Sequence, residues 1–498
     1  MFVAGSFLQK RAVLGAAVMA AAFVFVWWIA SDAFNLGVDE GIYFEGGRRI
    51  ASGQAIYRDF FALTGPLTFW IQGLLASGFG IDISVLRLPM LVDVAFLAGV
   101  VYWLAARFES PRFAAGLSLV FLVFASRANH LIANHRWDSA APAGAAIVAA
   151  MEASRRNRRW LWTVAGALAG AAAWATPSVA WVGLALAAWA GRRAILPLMA
   201  GAAAVLSSGA AYLASQHAIL PMIAAMRWTA ANYARANSVP YGSVNLGSGA
   251  TGAVRLAYYA FNALPAVLPV LAIAGWGWRL WRRRDEVAAV APLLGATAAL
   301  VLSAWPRWSS AQLLYVAAVP FALCGVLLHR LLPAQWRKAL YTAVVAMAAI
   351  GAVQKVTAAA GRIEFSTRAG VLRGSAEDAE YLAELERQIP PGESLFVFPY
   401  LPILYPLLDG HNPTRFLYLQ PGMMTQDQER EAIAELKAAP PRWVVLAEIS
   451  RETVLDAWPG SDQSRISMES MNEYLRNAYR IVDRVDGKWG PMSILERR

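Results

Sequence analysis

Two adjacent carboxylates open the first long polar segment of the chain. Asp39 and Glu40 stand a few residues after an uncharged apolar stretch, Ala12–Ala30. A carboxylate can act as a general base when the proton of a nucleophile lies within about 3 Å of it. The same pair could instead belong to an ordinary polar turn in which Asp39 caps a helix. The residues around the pair therefore decide between catalysis and capping.

The polar segment continues with a mixture of glycine, aromatic and charged residues. Gly53–Phe60 reads Gly-Gln-Ala-Ile-Tyr-Arg-Asp-Phe, and Gly65–Pro66 follows shortly after it. A solvated turn needs no such combination of paired acids, aromatic rings and an Arg-Asp pair. We predict two short helices in this segment, over Gly41–Ser52 and Pro66–Gly78. The second is apolar and is expected to lie in the membrane interface.

Arginines in other short turns are candidates for holding an anionic group. The planar guanidinium forms paired hydrogen bonds with phosphate. Arg127 and Arg136 flank one turn, where His135–Asp138 forms a polar cluster, and Arg307 lies within Trp305–Trp308. The alternative is that these arginines contact only lipid headgroups and that the tryptophans only anchor the chain at the interface.

Other polar residues are weaker candidates. His130 and His135 could ligate a metal, but two histidines five positions apart do not share a helix face, and we predict neither a metal nor another cofactor. Asp93 lies within an apolar stretch, where an acid is costly and often functional. Its alternative is an ion pair with Arg87. Because Cys324 is the single cysteine, a disulfide within the chain is excluded.

These residues must be positioned by a membrane-embedded scaffold. Of the 498 residues, 58% are hydrophobic and 15% are charged, whereas soluble domains hold about 25% charged residues. Uncharged stretches long enough to cross a hydrocarbon core of about 30 Å recur up to residue 357. We predict a polytopic α-helical membrane protein with about 11 spans. The spans are expected at 12–30, 84–106, 113–129, 138–152, 160–175, 177–190, 194–213, 262–281, 287–304, 310–329 and 338–357.

The placement of positive charge predicts how the spans are oriented. The net charge is +11, and the short turns between spans carry 17 Lys or Arg against four Asp or Glu. Such an excess marks cytoplasmic turns and argues against nucleic-acid binding. An odd number of spans then places segments 31–83 and 214–261 and the C-terminal residues outside, with residues 1–30 as an uncleaved anchor. The basic turns contain Lys10 and Arg11; Arg107 and Arg112; Arg155, Arg156, Arg158 and Arg159; Arg192 and Arg193; Arg279, Arg282, Arg283 and Arg284; and Arg330, Arg337 and Lys338.

The composition changes after residue 357. Residues 358–498 hold 16 Lys or Arg and 21 Asp or Glu, without an apolar stretch of span length. We therefore predict a transmembrane domain, 1–357, followed by a small extracytoplasmic α/β domain, 358–498. Helices are expected over Ala376–Ile389, Gln426–Ala438 and Ile466–Arg480, and strands over Ser394–Phe398, Thr414–Leu419 and Arg442–Ala447.

The acid pair, the Tyr57-Arg58-Asp59-Phe60 motif, Gly65-Pro66 and this topology together resemble the type-C (GT-C) membrane glycosyltransferases. The similarity is to the bacterial protein O-mannosyltransferase and aminoarabinose transferase group. It implies transfer of a sugar from a polyprenyl-phosphate-linked donor to an extracytoplasmic glycan, lipid or protein acceptor at the bacterial inner membrane. In that group the first acid of the pair is the catalytic base, which implies Asp39 here and an inverting single displacement. Glu40 is expected either to orient the acceptor or to cap its helix.

The resemblance also implies a set of donor-binding residues near Asp39. We rank Arg58 first as the phosphate ligand, then Arg307, then Arg136. The full set expected to bind the donor phosphate or sugar is Tyr57, Arg58, Asp59, His135, Arg136, Asp138, Trp305 and Arg307.

Two other functions compete with glycosyl transfer. One is a transporter or lipid flippase without transferase activity, and the other is a non-catalytic member of the same fold. Transporters usually carry charges near the middle of the membrane, in matching broken helices. Here the spans are poor in charge and the polar residues gather towards one face, which favours chemistry at the outer surface.

Overall fold

The protein is described here from a computed structural model, which covers residues 2–244, 252–486 and 490–498. Helices dominate the first 360 residues, as the long apolar stretches require. The helices before the C-terminal region are α1 Phe2–Ala30, α2 Val38–Ala51, α3 Leu67–Phe79, α4 Ile83–Leu86, α5 Leu88–Phe108, α6 Pro111–Ala125, α7 His135–Arg156, α8 Arg159–Ala175, α9 Ala180–Ser215, α10 Ile219–Trp228, α11 Ala234–Ala236, α12 Gly252–Arg282, α13 Val287–Ser303, α14 Ser310–Tyr315, α15 Ala318–Leu331 and α16 Ala334–Ala360.

Each of the predicted spans falls on a helix. The expected spans 177–190 and 194–213 are the two arms of α9, which turns at Gly191, where φ is 59°. The expected span 310–329 is divided into α14 and α15. Segment 214–261 is not simply a loop, because it holds α10, α11 and the first turns of α12.

In the part of the chain that the structure describes, six helical segments are long and apolar enough to cross a membrane. Shorter apolar helices, among them α3, α6 and α15, accompany them. The chain is therefore a polytopic membrane protein, as predicted. The six segments are Lys10–Ala30, Ile83–Phe108, Pro177–Ser215, Arg255–Arg282, Arg284–Ser303 and Ala334–Ala360.

Ion pairs join three of the predicted basic turns at one face of the helix bundle. Arg330 contacts Glu109 at 2.8 Å and Glu286 at 3.0 Å, and Glu286 also pairs with Arg279 at 2.9 Å. The C-terminal region packs on the opposite ends of the helices. Its first residues reach the end of α1, where Arg362 Nη1 donates to the carbonyl of Ile29 at 2.9 Å. We call this second face the domain face.

A mixed sheet forms the centre of the C-terminal region. In the four-stranded sheet, of order β3-β4-β6-β5, β3 and β4 are parallel, whereas β6 is antiparallel to both of its neighbours. A separate antiparallel hairpin, β1–β2, connects α16 to this sheet region. The elements are β1 Ile363–Thr367, β2 Gly370–Gly374, α17 Ala376–Gln388, β3 Leu395–Phe398, α18 Leu404–Leu407, α19 Gln426–Ala438, β4 Trp443–Ala447, α20 Arg451–Ala457, α21 Glu469–Ala478, β5 Tyr479–Val485 and β6 Met492–Arg497.

Two of the expected C-terminal elements are corrected by the structure. Thr414–Leu419 is not a strand, because its backbone pairs with the first polar segment: the N–H of Phe61 donates to the carbonyl of Arg415 at 2.9 Å. The expected helix Ile466–Arg480 is shorter, and its last residues belong to β5. The other expected helices and strands are present.

The helix that carries the acid pair is held on both sides. A Cβ added at Gly41 would lie 2.1 Å from the backbone nitrogen of Ile403, and one at Gly46 would lie 2.4 Å from the ring of Phe69. Glycine alone leaves room for such close approach. Helix α2 is therefore wedged between α3 and the C-terminal region, which fixes the direction of its first turn.

Helices α8 and α9 touch backbone to backbone through glycine. A Cβ at Gly201 would lie 1.9 Å from the carbonyl oxygen of Thr163, and one at Gly166 would lie 1.8 Å from that of Leu198. Small residues allow such close packing of helices in membranes.

We expect Gly201→Ala to destabilise the protein by about 1–3 kcal/mol, because the added methyl must push two backbones apart. Thermal unfolding in detergent measures this effect. Gly116→Ala is the matched control, since a Cβ at Gly116 meets nothing within 4 Å. Equal melting temperatures for the two variants would contradict the predicted contact.

Candidate active site

Asp39 occupies the first turn of α2 on the domain face. Its Oδ2 accepts a hydrogen bond from Asn134 Nδ2 at 3.1 Å. Asp39 is exposed to solvent, although many protein atoms surround its carboxylate. Burial raises the pKa of Asp39, while the charges of Arg136 and Arg307 and the Asn134 bond lower it. Access to water limits the rise, and the group stays a plausible proton acceptor.

Arg136 reaches Asp39 from the start of α7. Asn134 caps this helix by accepting the N–H of Arg136 at 2.9 Å, and its amide nitrogen holds Asp39. One asparagine therefore fixes both the acid and the backbone that carries the arginine. The Arg136 side chain is buried, so its charge acts on Asp39 with little screening.

Arg307 approaches from the turn between α13 and α14. Its Nη1 donates to Asn237 Oδ1 at 3.2 Å and to the carbonyl of Ala457 at 2.6 Å. Burial lowers the pKa of Arg307, and the charge of Asp39 opposes that change. The guanidinium remains charged because the normal value is so high.

Tyrosine side chains complete the surroundings of Asp39. Tyr43, Tyr315 and Tyr418 all lie near enough to interact with its charge, and Tyr233 adjoins Tyr43, Tyr418 and Arg307. Burial raises the pKa of Tyr43 and of Tyr418, so both hydroxyls stay protonated. Neutral hydroxyls that both donate and accept are suited to the hydroxyls of a sugar. They come from α2, the segment after α10, α14 and the C-terminal region.

A cavity of about 550 Å³ opens beside Arg136. We call it the site cavity. Its polar part includes Thr64, Arg136, Thr229 and Tyr233, and its apolar part includes Trp174, Leu206, Met222 and Met226. A ligand with a charged head and an apolar tail fits this division. The walls comprise Tyr57, Leu63–Pro66, His135, Arg136, Ala173, Trp174, Thr176–Ser178, Ala180, Leu206, Met222, Met226, Thr229, Ala230, Tyr233, Ala234, Trp305 and Pro306.

Glu40 turns away from Asp39 into a buried ion pair. Its two oxygens accept hydrogen bonds from Arg87 at 2.7 and 2.6 Å, and Oε1 also accepts the N–H of Ala133 at 3.1 Å. Glu40 is 0% exposed and Arg87 is 2% exposed. The geometry therefore gives Glu40 a positioning role and does not support direct contact with an acceptor. It also assigns Arg87 to Glu40, whereas pairing with Asp93 was the expected alternative.

Arg58 and Asp59 do not join the site. They pair with each other at the surface, at 2.7 Å, and Arg58 also donates to the carbonyl of Gln216. Neither residue lines the site cavity. The first-ranked phosphate ligand is therefore not supported by the geometry, because a neighbouring acid already neutralises it. Tyr57 does line the cavity, and its hydroxyl donates to the carbonyl of Thr64 at 2.6 Å.

The expected cluster at the start of α7 is split by helical geometry. His135 lines the site cavity and lies 2.7 Å from the hydroxyl of Thr176. Asp138 is two positions after Arg136, about 200° further around the helix, and it meets Asp93 of α5 instead. Asp138 therefore does not line the site cavity.

The remaining candidates lie at the edges of the site. Trp305 is half exposed and lines the site cavity. Arg127 stacks on the rings of Phe124 and Phe261, at 5.0 and 4.5 Å from their centroids. His130 packs on Tyr315, and burial lowers the pKa of His130 to about 4. Within residues 2–244, 252–486 and 490–498, no three His, Cys, Asp or Glu side chains are grouped as metal ligands would be.

The architecture can be compared with solved structures. ArnT from Cupriavidus metallidurans bound to undecaprenyl phosphate superposes with a TM-score of 0.57 at 16% identity, over 96% of this chain and 97% of that one. Its apo state gives 0.54 at 17% identity, over 98% of both chains. A third structure is that of the archaeal oligosaccharyltransferase AglB from Archaeoglobus fulgidus in complex with an inhibitory peptide and a dolichol-phosphate. It superposes with a TM-score of 0.53 at 11% identity, over 97% of this chain and 74% of that one.

The chain has the GT-C fold. The fold expected from the motifs of the first polar segment is thereby confirmed. No family model and no curated protein matches the sequence. At these identities the GT-C likeness establishes the architecture, and the chemistry must be argued from the residues around Asp39.

We expect Glu40→Ala to destabilise the GT-C domain by about 3–5 kcal/mol, because it leaves Arg87 as an unpaired buried cation. Thermal unfolding in detergent is the measurement. Glu431→Ala is the control, since Glu431 pairs with Arg415 at the surface, and exposed pairs contribute only about 0–1 kcal/mol. If the Glu40→Ala variant has the same melting temperature as the wild type, the buried pair does not fix the segment that carries Asp39.

Proposed function

We propose that the protein is a glycosyltransferase that moves a sugar from a polyprenyl-phosphate donor to an acceptor on the domain face. The observation that carries this proposal is the convergence of Asp39, Arg136 and Arg307, which come from three separate segments. A carboxylate beside two arginines provides a base for the nucleophile and two cations for a phosphate leaving group. Membrane anchoring alone would need no such convergence.

The reaction is a single displacement with inversion. The acceptor hydroxyl attacks the anomeric carbon of the donor, and the bond from that carbon to the phosphate oxygen breaks. Asp39 takes the proton of the hydroxyl, which leaves its carboxylate neutral. The departing lipid phosphate gains negative charge, and Arg136 and Arg307 stabilise it through charge-assisted hydrogen bonds.

The site cavity suits the donor by its two-part wall. The phosphate would lie at Arg136 and the isoprenoid chain along Trp174 and the methionines. The sugar would extend from the cavity towards Asp39, among Tyr43, Tyr233 and Tyr418. Of the three solved structures described above, ArnT was determined with undecaprenyl phosphate and AglB with a dolichol-phosphate. Their ligands belong to the chemical class that the charge and apolar wall of this cavity favour.

The proposed side of the membrane follows from the basic turns. These turns lie opposite the domain face, and positive charge is retained on the cytoplasmic side. Residues from about 358 and the first polar segment would then be periplasmic, and transfer would occur at the outer surface of the inner membrane.

Asp39→Asn should abolish transfer, by about 10²–10⁴-fold in kcat, because the amide keeps its shape but cannot accept a proton. Donor binding and melting temperature should stay near wild type. Transfer of labelled sugar from a polyprenyl-phosphate donor into membrane or envelope acceptors is the measurement. Asp59→Asn is the control and should retain activity. Turnover by Asp39→Asn within a few-fold of wild type would remove Asp39 from the base role.

Arg136→Gln should lower kcat by about 10²-fold, the effect of losing roughly 3 kcal/mol of leaving-group stabilisation. Arg136→Lys should recover part of this loss because the charge survives without the fork. The acid limb of the pH–rate profile should also move to higher pH. Asp39 acts only when deprotonated, and Arg136 is the strongest of the groups that lower its pKa.

Arg58→Gln is the matched control for Arg136→Gln, because Arg58 pairs with Asp59 outside the cavity. It should change neither kcat nor the pH profile. If Arg58→Gln is inactive and Arg136→Gln is not, the donor phosphate binds on the other side of the first polar segment and the assignment of Arg136 fails.

A further inference from the structure

A second cavity, of about 460 Å³, lies on the domain face between the ends of α1 and α16 and the β1–β2 hairpin. We call it the hairpin cavity. No residue lines both this cavity and the site cavity. The segment that includes Leu131 and Asn134 runs between them. The walls of the hairpin cavity comprise Ile29, Ala30, Ala33–Asn35, Arg87, Ser126, Ala128, Asn129, Leu131, Lys355, Ala358, Arg362, Arg373–Ser375 and Asp378.

Cations from three segments line the hairpin cavity. Lys355 projects from the last turns of α16, Arg362 follows that helix, and Arg373 lies on β2. Arg373 pairs with Asp32 at 2.7 Å. In the part of the chain that the structure describes, Lys355 and Arg362 pair with no carboxylate. Each donates instead to a backbone carbonyl, of Ser126 and of Ile29 respectively.

The acid in the wall is engaged elsewhere. Asp378 Oδ2 accepts hydrogen bonds from the backbone N–H and the hydroxyl of Ser375, both at 2.8 Å, where it caps α17. Arg87, on the floor of the cavity, is neutralised by Glu40. Among the described residues, no carboxylate therefore forms an ion pair with Lys355 or Arg362, and Asp32 and Asp378 act on Arg362 only from a greater distance.

The arginines around the cavity repel one another. Burial lowers the pKa of Arg362, and the charge of Asp32 opposes this effect. Arg373 and then Arg87 lower the pKa further, against a smaller opposing effect of Asp378. Like charges that share a partly buried cavity destabilise each other. An anion bound between them would remove this repulsion and gain charge-assisted hydrogen bonds.

Capping of helix ends is the rival explanation for these cations. Carbonyls at the end of a helix do attract positive charge. Capping uses only Nη1 of Arg362, however, and a guanidinium carries five N–H donors. Capping also requires no cavity, whereas these side chains surround one that is large enough for a headgroup.

We propose that the hairpin cavity binds a phosphate group with a net negative charge, whose ligands are Lys355, Arg362 and Arg373. Lys355 lies near the end of a membrane-spanning helix, so its ammonium reaches the level of the lipid headgroups. Cationic side chains at this depth can bind an anionic headgroup through charge-assisted hydrogen bonds. A phospholipid phosphate or a free phosphate ion would satisfy the same ligands. In either case the anion would join α1, α16 and the C-terminal region.

Thermal unfolding of the full chain in detergent tests the site. The delipidated protein is titrated with phosphatidylglycerol, phosphatidylcholine or inorganic phosphate. We expect phosphatidylglycerol to raise the melting temperature in a saturable manner and phosphatidylcholine to have no effect. A comparable rise with inorganic phosphate would assign the site to the free ion. Equal effects of the two phospholipids, or no effect of either anion, would overturn the proposal.

A charge-matched pair of variants locates the effect. The double variant with Lys355→Gln and Arg362→Gln should need at least a tenfold higher concentration of phosphatidylglycerol for the same rise in melting temperature. The control is the double variant with Arg282→Gln and Arg283→Gln. It removes the same charge from exposed residues at the end of α12, on the opposite face, and should leave the response unchanged. An equal loss in both double variants would indicate unspecific attraction and contradict the site. If the first double variant unfolds at too low a temperature for this assay, native mass spectrometry can compare the lipid that the two double variants retain.

Discussion

The buried pair between Glu40 and Arg87 is the interaction on which the geometry of the site depends. Arg87 binds the carboxylate and also donates to the carbonyl of Ala33, beyond the end of α1, at 2.5 Å. The same carboxylate holds the backbone of Ala133 just before α7. The end of α1, the start of α2, the junction of α4 and α5 and the residues just before α7 therefore meet at one ion pair. A buried pair of this kind contributes little net stability over apolar residues but strongly penalises any arrangement that separates the two charges.

The consequence for Asp39 is a fixed distance from its cationic neighbours. By themselves, the charges of Arg136 and Arg307 lower the pKa of Asp39, which works against proton transfer. A lipid phosphate between the arginines would cancel much of their charge. Under the proposed function, Asp39 would become a stronger base only when a donor is in place, which limits unproductive reaction with water.

Much of this arrangement could be predicted from the sequence because the signals were local. Apolar length predicts the spans, and the acid pair with its following motif indicates Asp39 as a candidate base. Arg136, Arg307 and Arg58 are all predicted as possible phosphate ligands, with Arg58 first. The sequence shows that Asp59 adjoins Arg58, but it does not show that the two pair at the surface, outside the site cavity. Asp138 was placed in the site because the start of α7 was read as a turn, whereas a helix separates Arg136 and Asp138 onto different faces.

The residues that sequence reasoning missed depend on distant contacts. Tyr43 had a usable signal, since it lies four positions after Asp39 on one helix. Tyr233, Tyr315 and Tyr418 had none, because each reaches the site from another part of the chain. Thr414–Leu419 has the composition of a strand, but its backbone partner is the first polar segment. The β5 strand was hidden because it follows α21 without a glycine or proline to mark the change.

Arg307 donates to the carbonyl of Ala457, and Tyr418 lies near Asp39. These two contacts have a consequence for biosynthesis. The acid pair is translated among the first tenth of the residues, whereas these two partners come from the last fifth. A nascent chain can therefore insert all its spans while the site is still open on one side. The pocket closes only when the C-terminal residues have folded back onto the first polar segment.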